Sequence, residues 1–126
     1  MSDQVKKTIL LIDDEKVVNE YITDLLTDEG YLVLSATNGL NGLEVFCNNL
    51  DTIDLVLLDM VMPKLNGTDC FYELKEIDPD VKVIVISGYT RLDGVEYLLK
   101  DGVKDFIKKP FKGTSLIDTI EKVINY

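Results

Sequence analysis

Asp54-Leu55-Val56-Leu57-Leu58-Asp59, running into Met60-Val61-Met62-Pro63-Lys64-Leu65-Asn66-Gly67, is the stretch that decides how this chain folds. An unbroken aliphatic run too short for a helix, stopped by a turn built from Pro63 and Gly67, reads as a strand buried on both faces. It sets one carboxylate, Asp59, at the strand tip. Thr8-Ile9-Leu10-Leu11-Ile12 repeats the arrangement and runs into Asp13-Asp14-Glu15. Two acidic strand tips in one small chain point to a cation site with a reactive carboxylate, and hence to phosphoryl chemistry.

Outward from that stretch, short β-rich runs alternate with helical periodicity. Strands are expected at about 8–12, 32–36, 54–58, 81–86 and 104–108, all dense enough in Val, Ile and Leu to be covered on both faces. Val17, Val18, Tyr21, Ile22, Leu25 and Leu26 recur at helical spacing and stop at Gly30. Leu40, Leu43, Phe46, Cys47 and Leu50 form a second stripe, weakened by Gly39 and Gly42. Phe71, Leu74 and Ile77 form a third, ended by Asp78-Pro79, and Val95, Leu98 and Leu99 a fourth, ended by Asp101-Gly102. Leu116, Ile120, Val123 and Ile124 make the last. The result is an α/β domain of five βα units over residues 1–126, with its core at about 8–124. A parallel sheet so connected is doubly wound, with helices on both faces, and collects ligands at the carboxyl ends of its strands.

Size and composition agree. The 126 residues suffice for one domain, and 46% hydrophobic with 29% charged residues is ordinary for a soluble globular protein. No apolar run spans a bilayer, and Asp13-Asp14 interrupts any signal-peptide pattern, so a cytoplasmic location is expected. A net charge of -10 argues against nucleic acid and anionic membrane as partners. Cys47 and Cys70 lack metal or redox spacing and read as small reduced core residues. The chain has no histidine, so a phosphoryl group donated by histidine must come from another molecule or from chain not present here.

Asp13, Asp14, Asp59, Ser87 and Lys109 all fall at or just after strand ends. The three carboxylates supply hard oxygen ligands whose mutual repulsion a divalent ion would relieve. Taken alone, Asp13-Asp14 serves equally well to cap the first helix. Lys109, ahead of Pro110, can reach a phosphate oxygen or pair with a carboxylate; Lys108 points the other way by strand alternation. Ser87, after Val83-Ile84-Val85-Ile86, can donate to a phosphate oxygen, or simply turn the chain ahead of Gly88.

Taken in order, Asp13-Asp14, Asp59-Met60-Val61-Met62-Pro63 with Gly67, Ser87-Gly88 and Lys109-Pro110-Phe111 resemble the receiver domain of two-component response regulators, of the single-domain chemotaxis type. The resemblance covers about Thr8 to Ile124. It implies a flavodoxin-like sheet in order 2-1-3-4-5. It implies Asp59 as phosphoacceptor, taking a phosphoryl group from a histidine kinase or histidine phosphotransfer protein. Asp13, Asp14, Asp59 and the Met60 backbone carbonyl would hold Mg²⁺, with Mn²⁺ as a substitute. Lys109 would contact the phosphoryl group, Ser87 would be the switch hydroxyl, and Phe106 the aromatic whose rotamer follows activation. The fourth-helix, fifth-strand and fifth-helix surface would then change for a partner, or for a phosphorylation-dependent homodimer. Such a protein is a signalling phosphoacceptor that catalyses only its own phosphorylation and slow dephosphorylation.

Some residues depart from the family's commoner pattern. Asn66 stands where an acidic residue often precedes the glycine, and Gly88 where alanine is more usual. Lys112 opens the last helix, where Ser or Asp would cap better. Val61 and Tyr89, two residues beyond Asp59 and Ser87, border the place of the attacking water in this family. Neither offers a carboxylate or amide to orient it, so slow self-dephosphorylation is expected. Three other readings compete. A flavin or nucleotide module would need a Gly- or Ser/Thr-rich phosphate cradle, and the first loop is acidic instead. An aspartyl phosphatase would place its nucleophile after the first strand in a DxD pattern. A non-phosphorylated scaffold would have no use for every site group. The chain starts at Met1, which favours a stand-alone receiver over one excised from a hybrid kinase or larger regulator.

Overall fold

The computed structural model of the chain describes residues 6–60, 62, 65–88 and 96–125. Five parallel strands, β1 (Thr8–Ile12), β2 (Leu32–Ala36), β3 (Ile53–Asp59), β4 (Val83–Ser87) and β5 (Asp105–Lys108), form one sheet in the order β2-β1-β3-β4-β5. Between and after them lie α1 (Lys16–Asp28), α2 (Gly39–Asn48), α3 (Gly67–Ile77), α4 (Glu96–Lys100) and α5 (Gly113–Ile124). Strand order reverses between β1 and β3, so their carboxyl ends flank the crevice where such sheets bind ligands. The expected flavodoxin-like architecture is the one observed.

Alternation along the central strands divides the core in two. Leu10, Ile12, Val56, Leu58, Val83 and Val85 point to one face, against Phe46 of α2, Phe71 and Leu74 of α3 and Leu98 of α4. Ile9, Leu11, Leu55, Leu57, Ile84 and Ile86 point to the other, against Ile22 and Leu26 of α1 and Leu116 and Ile120 of α5. Burial on both faces holds for β1, β3 and β4 but not for the edges. β2 leaves Leu32 49% exposed, and β5 exposes Lys108, because each has a single strand neighbour.

The helices also sit differently on the sheet than the apolar stripes imply. In α1 the buried positions are Asn19, Ile22 and Leu26, while Val17 and Tyr21 face solvent. In α2 the glycines do not weaken the packing face; they form it. Gly39, Gly42 and Phe46 are buried, and a Cβ on Gly42 would overlap the Ile12 side chain. Leu40 and Leu50 are therefore turned outward, and Cys47 is exposed, which corrects its assignment to the core; Cys70 is buried. Ile77 and Leu99 are likewise partly in solvent, and Val95 lies outside the described residues. α5 carries the expected stripe, all of it buried, and begins at Gly113 with Lys112 at its N-cap making no side-chain capping bond.

Candidate functional site

Asp13 leaves the end of β1 with its N–H donating to the Ala36 carbonyl at 3.1 Å. Its side chain is wholly buried. Oδ1 accepts the Glu15 N–H at 2.9 Å, whereas Oδ2 has no hydrogen-bond partner among the described residues. Asp13 does not cap α1: the N-cap is Glu15, and its side chain makes no capping bond either. Buried Asn19 donates to the Asp13 carbonyl at 3.1 Å and to the Ala36 carbonyl at 3.3 Å, tying α1 to both strand ends. Asp14 follows, half-buried, on the rim.

Asp59 is the last residue of β3 and is almost completely buried. Its neighbour Met60 donates to the Ile86 carbonyl at 3.0 Å and accepts the Gly67 N–H at 3.1 Å. That return of the chain requires glycine at 67, because a Cβ there would stand 2.6 Å from both the Asp59 carbonyl oxygen and Met60 Cα. Asn66, in place of the commoner acidic residue, still serves the helix. It is the N-cap of α3, and its Oδ1 accepts the Asp69 N–H at 2.9 Å.

Ser87 ends β4, buried, and its carbonyl accepts the Lys109 N–H at 2.7 Å. The Lys109–Pro110 peptide bond is cis. From there the Lys109 ammonium reaches three carboxylates: Glu15 Oε1 at 3.2 Å, Asp13 Oδ2 at 3.6 Å and Asp59 Oδ2 at 3.7 Å. Asp14, Glu15, Asp59, Gly88 and Lys109 line one cleft of about 320 Å³. Among the described residues nothing lies within 4 Å of a Cβ built on Gly88, so the commoner alanine meets none of them. Phe106 lies half-buried on β5, opposite Val85, and packs on the core face shared with α3 and α4. Val61 and Tyr89 lie outside the described residues.

Electrostatics follow from this crowding. Burial pushes the Asp13 carboxyl above the usual carboxylate value, against the opposing pull of the Glu15 N–H and the Lys109 charge. Burial alone would lower the Lys109 pKa, but Asp13, then Asp59 and Glu15, outweigh it and raise it. Among the described residues, the Lys109 cation therefore faces an excess of negative charge. Asp13, Asp14 and Asp59 each offer a carboxylate oxygen, and these oxygens all lie within 4.8 Å of one another. Hard oxygens in that number, with a buried Asp13 Oδ2 that has no hydrogen-bond partner among the described residues, fit a divalent cation of the Mg²⁺ type. The Met60 carbonyl keeps a second lone pair beside its bond to Gly67.

Thus Asp13, Asp14, Asp59 and Lys109 meet as the sequence suggests, with Ser87 at the end of the adjoining strand. Glu15 and Asn19 belong to the same assembly and escape a reading by motif. Asn19 could be found from helical spacing, since it precedes Ile22 and Leu26 on the buried face. Nothing local marks Glu15, because its partner is 94 residues away.

Residues 9–121 match the response regulator receiver domain family. The chain is 36% identical over 118 residues to the chemotaxis protein CheY of Thermotoga maritima, covering 93% of this chain and 97% of that one. Among solved structures, a response regulator receiver domain protein from Clostridium thermocellum is 38% identical with a TM-score of 0.90, covering 94% of each chain. The CheX-CheY-BeF3-Mg²⁺ complex from Borrelia burgdorferi contains a chain 30% identical with a TM-score of 0.89, covering 93% of this chain and 88% of that one.

Proposed function

The chain belongs to the response regulator receiver domain family, and on that premise we propose that Asp59 accepts a phosphoryl group from a histidine kinase or histidine phosphotransfer protein. The observation that carries the assignment is the Asp59 carboxylate itself, buried at a strand tip beside Asp13 and Asp14, with the Lys109 ammonium 3.7 Å away. An Asp59 oxygen attacks phosphorus while the bond from phosphorus to its donor breaks, the electron pair leaving with the donor. Lys109 neutralises charge gathering on the phosphoryl oxygens. Asp13, Asp14, Asp59 and the Met60 carbonyl would hold Mg²⁺. When bound, the ion would supply further neutralisation of phosphoryl charge. A relative whose complex includes BeF3 and Mg²⁺ supports Mg²⁺ as the ion.

Once phosphorylated, Asp59 presents new acceptor oxygens toward the end of β4, where the Ser87 hydroxyl can turn to meet them. Phe106, on the neighbouring strand and only half-buried, has room to follow. The surface of α4, β5 and α5, where Tyr97 and Leu99 already face solvent, would carry the change to a protein partner. No described helix is long and apolar enough to cross a membrane.

Intact mass after incubation with acetyl phosphate and Mg²⁺ tests the reading. A Mg²⁺-dependent gain of one phosphoryl group in the natural protein, absent from Asp59→Asn, is the expected result. No gain in either protein would overturn it.

A further inference from the structure

Glu15 occupies the N-cap of α1, where Ser, Thr, Asp or Asn would bond to the first helical turn, yet its carboxylate caps nothing. Its N–H is committed to Asp13 Oδ1, which fixes the backbone and leaves the side chain to reach sideways. It ends on Lys109. Of the three carboxylates around Nζ, only Glu15 is within hydrogen-bond distance, at 3.2 Å against 3.6 and 3.7 Å for Asp13 and Asp59. It is also the outer one: its side chain is 61% exposed, whereas those of Asp13 and Asp59 are 0% and 4% exposed.

We propose that Glu15 is a positioning residue that holds the Lys109 ammonium at the solvent side of the cleft, so that an incoming phosphoryl group has to take Lys109 from Glu15. The inference rests on the phosphoacceptor role of Asp59. A contact present before the reaction and released on the way to the transition state slows that step, because only differences between the two states alter rate. Glu15 thereby sets how readily Asp59 is loaded, without touching the reacting atoms. The Glu15 charge also acts on a cation or an anionic donor directly, and that effect does not pass through Lys109.

The two effects separate in a double-mutant cycle on the full chain, with acetyl phosphate below saturation and Mg²⁺ in excess. Glu15→Gln should speed phosphoryl gain about 2–5-fold, the range expected of one solvated ion pair. That acceleration should be clearly smaller in the Lys109→Ala background, where only the direct effect of the Glu15 charge is left. A second readout needs no phosphoryl chemistry: trace labelling with acetic anhydride should modify Lys109 about twofold faster in Glu15→Gln, relative to Lys104, as expected when one solvated ion pair is lost. Unchanged labelling, an unchanged rate, or an acceleration undiminished without Lys109 would each overturn the proposal. A natural protein that gains no phosphoryl group would instead overturn the phosphoacceptor role, which the rate of the unmodified chain reads separately.

Discussion

Lys109 Nζ stands 3.7 Å from Asp59 Oδ2 although β4 lies between the strands that lead to them. The side chain reaches past the end of β4, where the Lys109 N–H is already anchored on the Ser87 carbonyl at 2.7 Å. Asp13 and Asp59 share this one ammonium, and their charge raises its pKa over the opposing effect of burial. Lys109 therefore stays protonated throughout the working pH range.

Replacing Lys109 should remove the cation that answers phosphoryl charge. Lys109→Ala is expected to slow phosphoryl gain by about 100-fold, the usual loss for one pre-placed electrostatic donor. Lys109→Arg should not restore the rate, because a planar guanidinium does not replace a compact ammonium. Time-resolved intact mass with acetyl phosphate measures both.

Asp13 carries a pH dependence with a definite sign. Its folded-state pKa lies above 3.8, so the folded chain binds this proton more tightly than the unfolded chain. The stability it contributes is complete below pH 3.8 and is lost as pH rises through the raised value. In chelator at pH 7, Asp13→Asn should therefore melt a few degrees higher than the natural protein, and the gap should close in acid. Added Mg²⁺ should raise the melting temperature of the natural protein and change that of Asp13→Asn much less.

Gly67→Ala should cost about 1–3 kcal/mol, since its Cβ meets backbone that cannot turn aside. The Asp59 and Met60 backbone would have to move, so phosphoryl gain should slow as well. Urea denaturation and the mass assay together report the two losses. Gly88→Ala, which meets nothing within 4 Å among the described residues, is the control expected to change neither.

The two thiols should differ sharply. Burial, with Glu73 adding to it, pushes the Cys70 thiol up to about 12, while Cys47 is exposed. Native protein should react with iodoacetamide at Cys47 alone, and both should react in denaturant. Peptide mapping gives the answer directly.

The family resemblance implies that Val61 and Tyr89 border the water that would attack the acyl phosphate. On that reading Val61→Asn, which adds an amide, and Tyr89→Ala, which removes an aromatic ring, should each speed dephosphorylation. Decay of the phosphorylated mass after removing acetyl phosphate checks this, and unchanged rates would refute it.

Much of this protein was written in local pattern. Aliphatic runs ended by Asp13, Asp59 and Ser87 mark strands and their tips, because burial and turn chemistry act over a few residues. Those tips also announce the acidic cluster, since every parallel strand must deliver its end to the same rim. What local pattern could not decide is how each helix is rolled on the sheet. Apolar stripes do not say that α2 packs through Gly39 and Gly42, turning Cys47 outward, or that α1 buries Asn19 and exposes Val17 and Tyr21. Rotation is chosen by the close approach of backbone and side chains from distant segments, as Gly42 against Ile12 shows. The pairing of Glu15 with Lys109 is of the same kind: 94 residues separate them, and only the closed sheet brings the two together.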